Sequence, residues 1–204
     1  MLGIVFTTPQ EASAFVSQYA HSRVDRIEEG SSIQVGDLRV GVTGIGKIKA
    51  TLATERLLQS HSLDTLIHAG VCTALGDDLD SGTVVGASFV LEGDRVELDA
   101  PTYPRMPLSC PLDVSVEGTL VSQDHTADDE EDLTYWERLA DVRDHTGYAV
   151  AYVAAQHGAV CHIVKAVSNG SGGTDTPDAQ RQDASREVAT VLERFLEARN
   201  ASNE

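Results

Sequence analysis

Leu2-Gly3-Ile4-Val5-Phe6-Thr7-Thr8-Pro9-Gln10-Glu11 opens the chain with a compact apolar run that breaks into threonines and a proline. The run has the length of a buried strand. Proline then suits the first turn of a helix, where its missing N–H would be unsatisfied anyway. The predicted strand covers residues 2–6 and the predicted helix residues 9–19. Working outward, residues 33–35 and 38–42 flank Gly36-Asp37, a two-residue hairpin signal. Gly44-Ile45-Gly46 turns into a helix over residues 47–59, for which Ile48, Leu52, Leu57 and Leu58 are the expected apolar face. Residues 65–69 read as buried strand, 70–76 as a small-residue turn, and 83–91 as strand. Residues 93–116 hold four prolines and read as a surface excursion with room for short strands. Beyond them, residues 119–122 read as strand, and the five acids of 128–132 as a helix start continued by 133–140. Residues 147–156 form a small-residue helix, 160–167 a strand, 177–199 an amphipathic helix, and 200–204 a frayed tail. Strands alternating with helices predict an α/β fold, a three-layer α-β-α sandwich with a mixed, largely parallel central sheet, in one domain over residues 1–204.

Composition narrows the function classes. The chain carries 32 acidic and 15 basic residues, a net charge of -17, and only three lysines, Lys47, Lys49 and Lys165. A phosphate backbone or anionic membrane would be repelled, so neither nucleic acid nor membrane is an expected partner. The same acidity fits a surface kept soluble in concentrated salt, where a Debye length of about 3 Å at 1 M screens self-repulsion. Cys72, Cys110 and Cys161 are odd in number and form no CxxC pair, which favours buried reduced thiols over disulfides or zinc. The seven histidines show no metal-ligand spacing, and His68 reads as a satisfied core histidine. Neither a basic leader with a long apolar core nor a bilayer-length apolar run is present, so the expected location is cytoplasmic.

Ligands of open α/β sheets bind beyond the carboxyl ends of the strands. Residues 7–11, 43–47, 70–73 and 168–173 occupy such positions, and each is rich in Gly, Ser or Thr. Their order carries information. Glu11 follows the first strand, Thr43-Gly44-Ile45-Gly46-Lys47 opens a helix, and Leu66-Ile67-His68-Ala69-Gly70 forms a strand. Downstream stand Asp144-His145-Thr146-Gly147-Tyr148-Ala149-Val150-Ala151 and Val164-Lys165-Ala166-Val167-Ser168-Asn169. As an ordered set these resemble the nucleoside phosphorylase/nucleosidase superfamily, in particular the methylthioadenosine/adenosylhomocysteine nucleosidases and futalosine hydrolases.

The resemblance implies hydrolysis of a purine nucleoside's N-glycosidic bond, with Glu11 as the base that activates water and Asn169 polarising the departing base. It implies substrate contacts from Gly46, Lys47, Gly70, Val71, Val121, Ser122, Thr146, Lys165 and Ser168, no metal or organic cofactor, and a homodimer. This reading requires that Glu11 and Asn169 face each other across a cavity wide enough for a sugar joined to a flat heterocycle. Two positions depart from the family's pattern. Asn169 stands where an aspartate is usual, and an amide that both donates and accepts suits a 6-oxopurine better than adenine. Thr146 stands where a glutamate grips the ribose hydroxyls, so a charge-assisted contact of about 1.5–3 kcal/mol becomes a neutral one of about 1. His145 and Asp124 are candidates to compensate.

The residues alone also permit plainer readings. Glu11 suits the first turn of any helix, and Lys165 fits a strand-end lysine snorkelling to solvent. Tyr148 and Phe89 are aromatic candidates for stacking on a base. A catalytically impaired nucleoside-binding homologue and a phosphorylase remain the alternatives. The early loops hold no arginine for a phosphate, which favours hydrolysis.

Overall fold

The structure, a computed structural model, describes residues 1–19, 27–95, 102–125, 130–169 and 176–201. The expected loop at 170–173, the acids 128 and 129, and the last three residues of the tail lie outside them. Among the described residues nine strands and five helices follow in the order β1 (Leu2–Phe6), α1 (Pro9–Tyr19), β2 (Ser32–Val35), β3 (Leu38–Val42), α2 (Lys47–Ser60), β4 (Thr65–Ala74), β5 (Val84–Glu92), β6 (Arg105–Pro107), β7 (Val116–Ser122), α3 (Glu130–Glu137), β8 (Val142–Asp144), α4 (Gly147–Gln156), β9 (Val160–Val167) and α5 (Pro177–Ala201).

β1 lies between β3 and β4, parallel to both, and β2 closes one edge as a hairpin partner of β3. β4 continues into a ring. It pairs in parallel with β9; β9 pairs antiparallel with β5, β5 in parallel with β7, β7 in parallel with β8, and β8 returns antiparallel to the end of β4. The sheet is mixed, as the alternation of elements predicts.

Side-chain alternation along the strands builds two cores. Leu2, Ile4 and Phe6 of β1 pack with Phe15 of α1 and Val188 and Leu192 of α5 on one face. Val5, on the opposite face, joins Ala50 and Leu57 of α2 and Val150 and Ala154 of α4. Period-two strands between helices thus give the three layers. A third, smaller cluster gathers Leu75, Val121, Trp136 and Ala140 beneath α3.

Three expectations need correction. Residues 70–76 are not a turn: β4 runs through Ala74, with Gly70 at φ 147° absorbing a twist that a side chain would resist. The apolar face expected of α2 is split. Leu57 and Leu58 are buried with Ala50 and Thr54, but Ile48 is 76% and Leu52 51% exposed. The buried face is set by the small residues that let α2 approach its neighbours, so hydrophobicity alone misplaced it. β8 was not anticipated, because three residues carry too little pattern to register.

Candidate active site

Thr8 and Glu11 form a capping box at the start of α1, a pattern readable as Thr-x-x-Glu. The Thr8 amide donates to Glu11 Oε2 at 2.7 Å, the Thr8 hydroxyl donates to the same oxygen at 3.0 Å, and the Glu11 amide reaches Thr8 Oγ1 at 3.4 Å. The other oxygen, Oε1, accepts from the Val71 amide of β4 at 2.9 Å. Glu11 is therefore buried and pinned between the first helix and the fourth strand. Among the described residues three donors occupy its carboxylate, which has about four lone-pair sites, leaving one. Gly70 permits this approach, since a Cβ there would stand 2.7 Å from Oε1.

Asn169 anchors on the same strand. Its Oδ1 accepts from the Ala74 amide at 2.7 Å and its Nδ2 donates to the Ala74 carbonyl at 3.4 Å. Because the Ala74 N–H must face an oxygen, the amide orientation is fixed chemically, and one N–H of Nδ2 stays unspent among the described residues. Ser168, the preceding residue, donates to the Cys72 carbonyl from both its amide and its hydroxyl. The anchor points of Glu11 and Asn169 are three residues apart on β4, about 10 Å along an extended strand.

Beneath these two lies a buried polar network that the sequence did not disclose. Lys165 Nζ stands 3.1 Å from Asp144 Oδ2 and 3.1 Å from His68 Nε2. Thr146 Oγ1 stands 3.2 Å from His68 Nε2 and 3.0 Å from Thr7 Oγ1. Asp144 also accepts from the Ser122 hydroxyl at 2.7 Å and from the amides of Thr146 and Gly147, so it caps α4 in the manner of an N-terminal carboxylate. Ser122 in turn accepts from the Tyr148 amide. Lys165 does not snorkel: it is 1% exposed, and its ammonium ends on a buried carboxylate.

Burial and opposite charge set the protonation states. Burial works to raise the Asp144 carboxyl, but the Lys165 ammonium and the Ser122 and Gly147 hydrogen bonds outweigh it and hold the group well below the usual carboxylate range. Burial, reinforced by the Lys165 cation, drives the His68 imidazole well below its ordinary 6.5, so the ring is neutral. With Nε2 facing the Lys165 ammonium, its N–H sits on Nδ1, and Nδ1 has no hydrogen-bond partner among the described residues. The sequence reading of His68 as a satisfied core histidine holds for one nitrogen and fails for the other. Burial raises the Cys72 thiol above its usual range, and it is not a ready nucleophile.

The remaining expected residues are spread around this centre. Gly46, at φ 98°, brings α2 against Asp124, whose Oδ1 accepts from the Lys47 amide at 2.8 Å. Lys47 Nζ pairs with Glu92 and Asp94. Burial lowers that ammonium's pKa, but the two carboxylates more than offset it and the net shift is upward. Asp124 is thus a helix cap, and His145 bonds the Gln123 carbonyl through Nδ1 at 2.7 Å. Val121 is packed in the small core under α3. Tyr148 stacks on Tyr152, and Phe89 is exposed on β5. Asp144 is the residue that sequence reasoning passed over. Its signal was available, an aspartate just before a helix start.

A closed strand ring with glycine-rich loops and a pinned carboxylate beyond the strand ends defines an α/β protein with a polar centre at one end of its sheet. The model of the phosphorylase superfamily matches residues 1–115, and the chain belongs to that family. A 5'-methylthioadenosine/S-adenosylhomocysteine nucleosidase from Chromohalobacter salexigens is 32% identical over 99 residues, a match spanning 46% of this chain and 41% of that protein's length. Among solved structures, a futalosine hydrolase mutant of Helicobacter pylori superposes with a TM-score of 0.79 at 18% identity, covering 97% of this chain and 98% of the other. The Helicobacter pylori 5'-methylthioadenosine/S-adenosylhomocysteine nucleosidase with butyl-thio-DADMe-Immucillin-A gives 0.78 at 18%, covering 97% of each chain. These structures share the fold. No helix among the described residues is long and apolar enough to cross a membrane.

Proposed function

We propose that the protein is a purine nucleosidase that cleaves an N-glycosidic bond with water. The observation that carries this reading is the pinned Glu11 carboxylate, with one lone-pair site left at the head of α1, on the same strand that anchors Asn169. Water donates its proton to Glu11 as its oxygen bonds the anomeric carbon, and the bond from that carbon to the base nitrogen breaks with its electrons passing to the base. The spare N–H of Asn169 donates to the purine ring as negative charge develops there. The amide lends no proton, so the departing base takes one from solvent. A 6-oxopurine, whose O6 and N7 are adjacent acceptors for that N–H, is the favoured base.

The test is release of free base from inosine, futalosine, methylthioadenosine and adenosylhomocysteine, with and without phosphate. Turnover without phosphate that Glu11→Gln lowers by about 100-fold or more supports the reading. Undiminished turnover in Glu11→Gln would remove it. A second reading, a nucleoside-binding protein without turnover, draws support from Thr146, whose hydroxyl is already engaged by His68 and Thr7. Saturable nucleoside binding with no base released would favour it.

We also propose a homodimer through the outer face of α2. Ile45, Ile48 and Leu52 stand out to solvent at helical spacing, and Tyr152 of the adjacent α4 is exposed as well. Ile45 belongs to the loop that carries Gly46 and Lys47, so a second copy seated there would border the active site. Sedimentation of the wild type as a dimer and of Ile48→Glu as a folded monomer is the expected result; a monomeric wild type contradicts it.

A further inference from the structure

Between the β2–β3 hairpin and α2 lies a cleft of about 210 Å³, away from Glu11 and Asn169, neither of which lines it. Arg39, Arg56, His61, Ser31, Ser32 and Ser60 line it, and among the described residues no aspartate or glutamate does. In a chain with 32 acidic residues against 15 basic ones, that local inversion of charge stands out. Gly41 of β3, having no side chain, keeps the strand side of the cleft open.

Among the described residues, no ion pair ties the two arginines to a carboxylate. Arg39 Nε donates to the Ser32 hydroxyl at 3.0 Å and its NH1 reaches Gln34 Oε1 at 3.5 Å, both neutral partners that orient the guanidinium without neutralising it. Arg56 enters no ion pair among the described residues. The nearby acids are committed elsewhere: Glu55 holds His157 at 2.7 Å and Gln59 at 2.6 Å, and Glu29 holds Lys49 at 2.7 Å. Two guanidinium groups and several hydroxyls lining one cleft supply the donor types that a tetrahedral oxyanion accepts, paired N–H donors and further O–H donors. The volume exceeds the roughly 30 Å³ share of one water several times over, enough for a phosphate group with a small substituent.

We propose that this cleft binds a small oxyanion of the phosphate or phosphomonoester class, at a site separate from the glycosidic-bond chemistry. Positive groups gathered in one cleft repel each other, and an anion between them relieves that repulsion, so binding also stabilises the fold.

The experiment titrates inorganic phosphate, and in a parallel arm glycerol 2-phosphate, into the full chain at low ionic strength. Heat of binding and backbone amide shifts are followed together. The expected result is a saturable response centred on the amides of residues 30–43 and 53–61, retained in Glu11→Gln and weakened about tenfold or more in Arg39→Gln/Arg56→Gln. Tighter binding of glycerol 2-phosphate points to a monoester as ligand, and tighter binding of phosphate to the free anion; both support the site. No saturable response to either probe, an unchanged response in the double variant, or shifts centred on the residue 11 loop overturns it. Should the double variant fail to fold, Arg56→Gln alone serves, since Arg56 is exposed on α2 and its loss removes one guanidinium without touching the core. The active-site reading can fail in the base-release assay while this site stands, and the reverse holds equally.

Discussion

Glu11 shows how one residue type can satisfy a local rule and a tertiary one together. Thr-x-x-Glu after an apolar run predicts a capping box, and the structure contains it, yet the second carboxylate oxygen is spent on Val71, sixty residues away. That contact depends on Gly70, whose φ of 147° and missing side chain let the carboxylate approach the strand. Gly70→Ala is expected to cost about 1–3 kcal/mol through the backbone conformation, and to lower kcat/KM further by pushing Glu11 off its anchor. Thermal melts and steady-state kinetics check both effects. Gly70→Ala in a Glu11→Ala background should keep the backbone cost and lose the clash; a double-mutant cycle with no coupling contradicts this account. Asn169→Asp keeps an acceptor for the Ala74 amide but sets a carboxylate against the Ala74 carbonyl. The expected outcome is a protonated or displaced side chain and a shift in relative kcat/KM from 6-oxopurine toward adenine nucleosides. An unaltered ratio would show that residue 169 does not select the base.

At the scale of elements, β4, β8 and β9 meet in the Asp144–Lys165–His68 network, and its energetics are those of buried charge. Removing one partner strands the other. Lys165→Met is expected to destabilise the fold by about 3–5 kcal/mol, and adding Asp144→Asn should recover part of that, because the carboxylate no longer needs a counter-ion. Chemical denaturation of the two variants checks the order. His68 adds a pH dependence. Its folded pKa lies below 6.5, so between that folded value and 6.5 the unfolded chain takes up a proton that the folded chain refuses. Stability is therefore complete above about pH 6.5 and falls as pH drops, by about 1.4 kcal/mol per unit, until the folded pKa is reached. His68→Asn should flatten that slope between pH 5 and 6.5; a wild-type melting temperature constant over the range counts against a neutral buried ring. None of this network was legible as such. β1, α1, α4 and β9 announced themselves through apolar runs bounded by proline or glycine, but β8 has three residues, and its Asp144 acquires a role only when β9 brings Lys165 beside it. The departures at Thr146 and Asn169 were visible in sequence, whereas their hydrogen-bond partners come from β4 and the loop after β1, which no local pattern specifies.

On the scale of the whole molecule, the net charge of -17 is spread over a surface of 10633 Å² and has few internal counter-ions. Exposed pairs such as Arg186–Asp183 are worth little individually, and with 32 acids against 15 bases most of the excess negative charge has no basic partner available. At about 0.01 M salt the Debye length of roughly 30 Å lets these charges repel across the molecule, while at about 1 M it shrinks to roughly 3 Å and the repulsion becomes local. Unfolding spreads the charges apart, so repulsion penalises the compact state and salt relieves the penalty. The melting temperature is expected to climb with potassium chloride and level off near 1 M. A continued rise in sulfate beyond that point would report exclusion of the salt from the surface, a separate effect. Replacing the exposed Glu130, Glu131, Glu187 and Glu197 by glutamine should raise the melting temperature at low salt and flatten the chloride dependence, without changing the plateau. If those four substitutions leave the chloride slope as it was, the acidity is too evenly spaced to strain the fold, and its value to the protein lies in solubility alone.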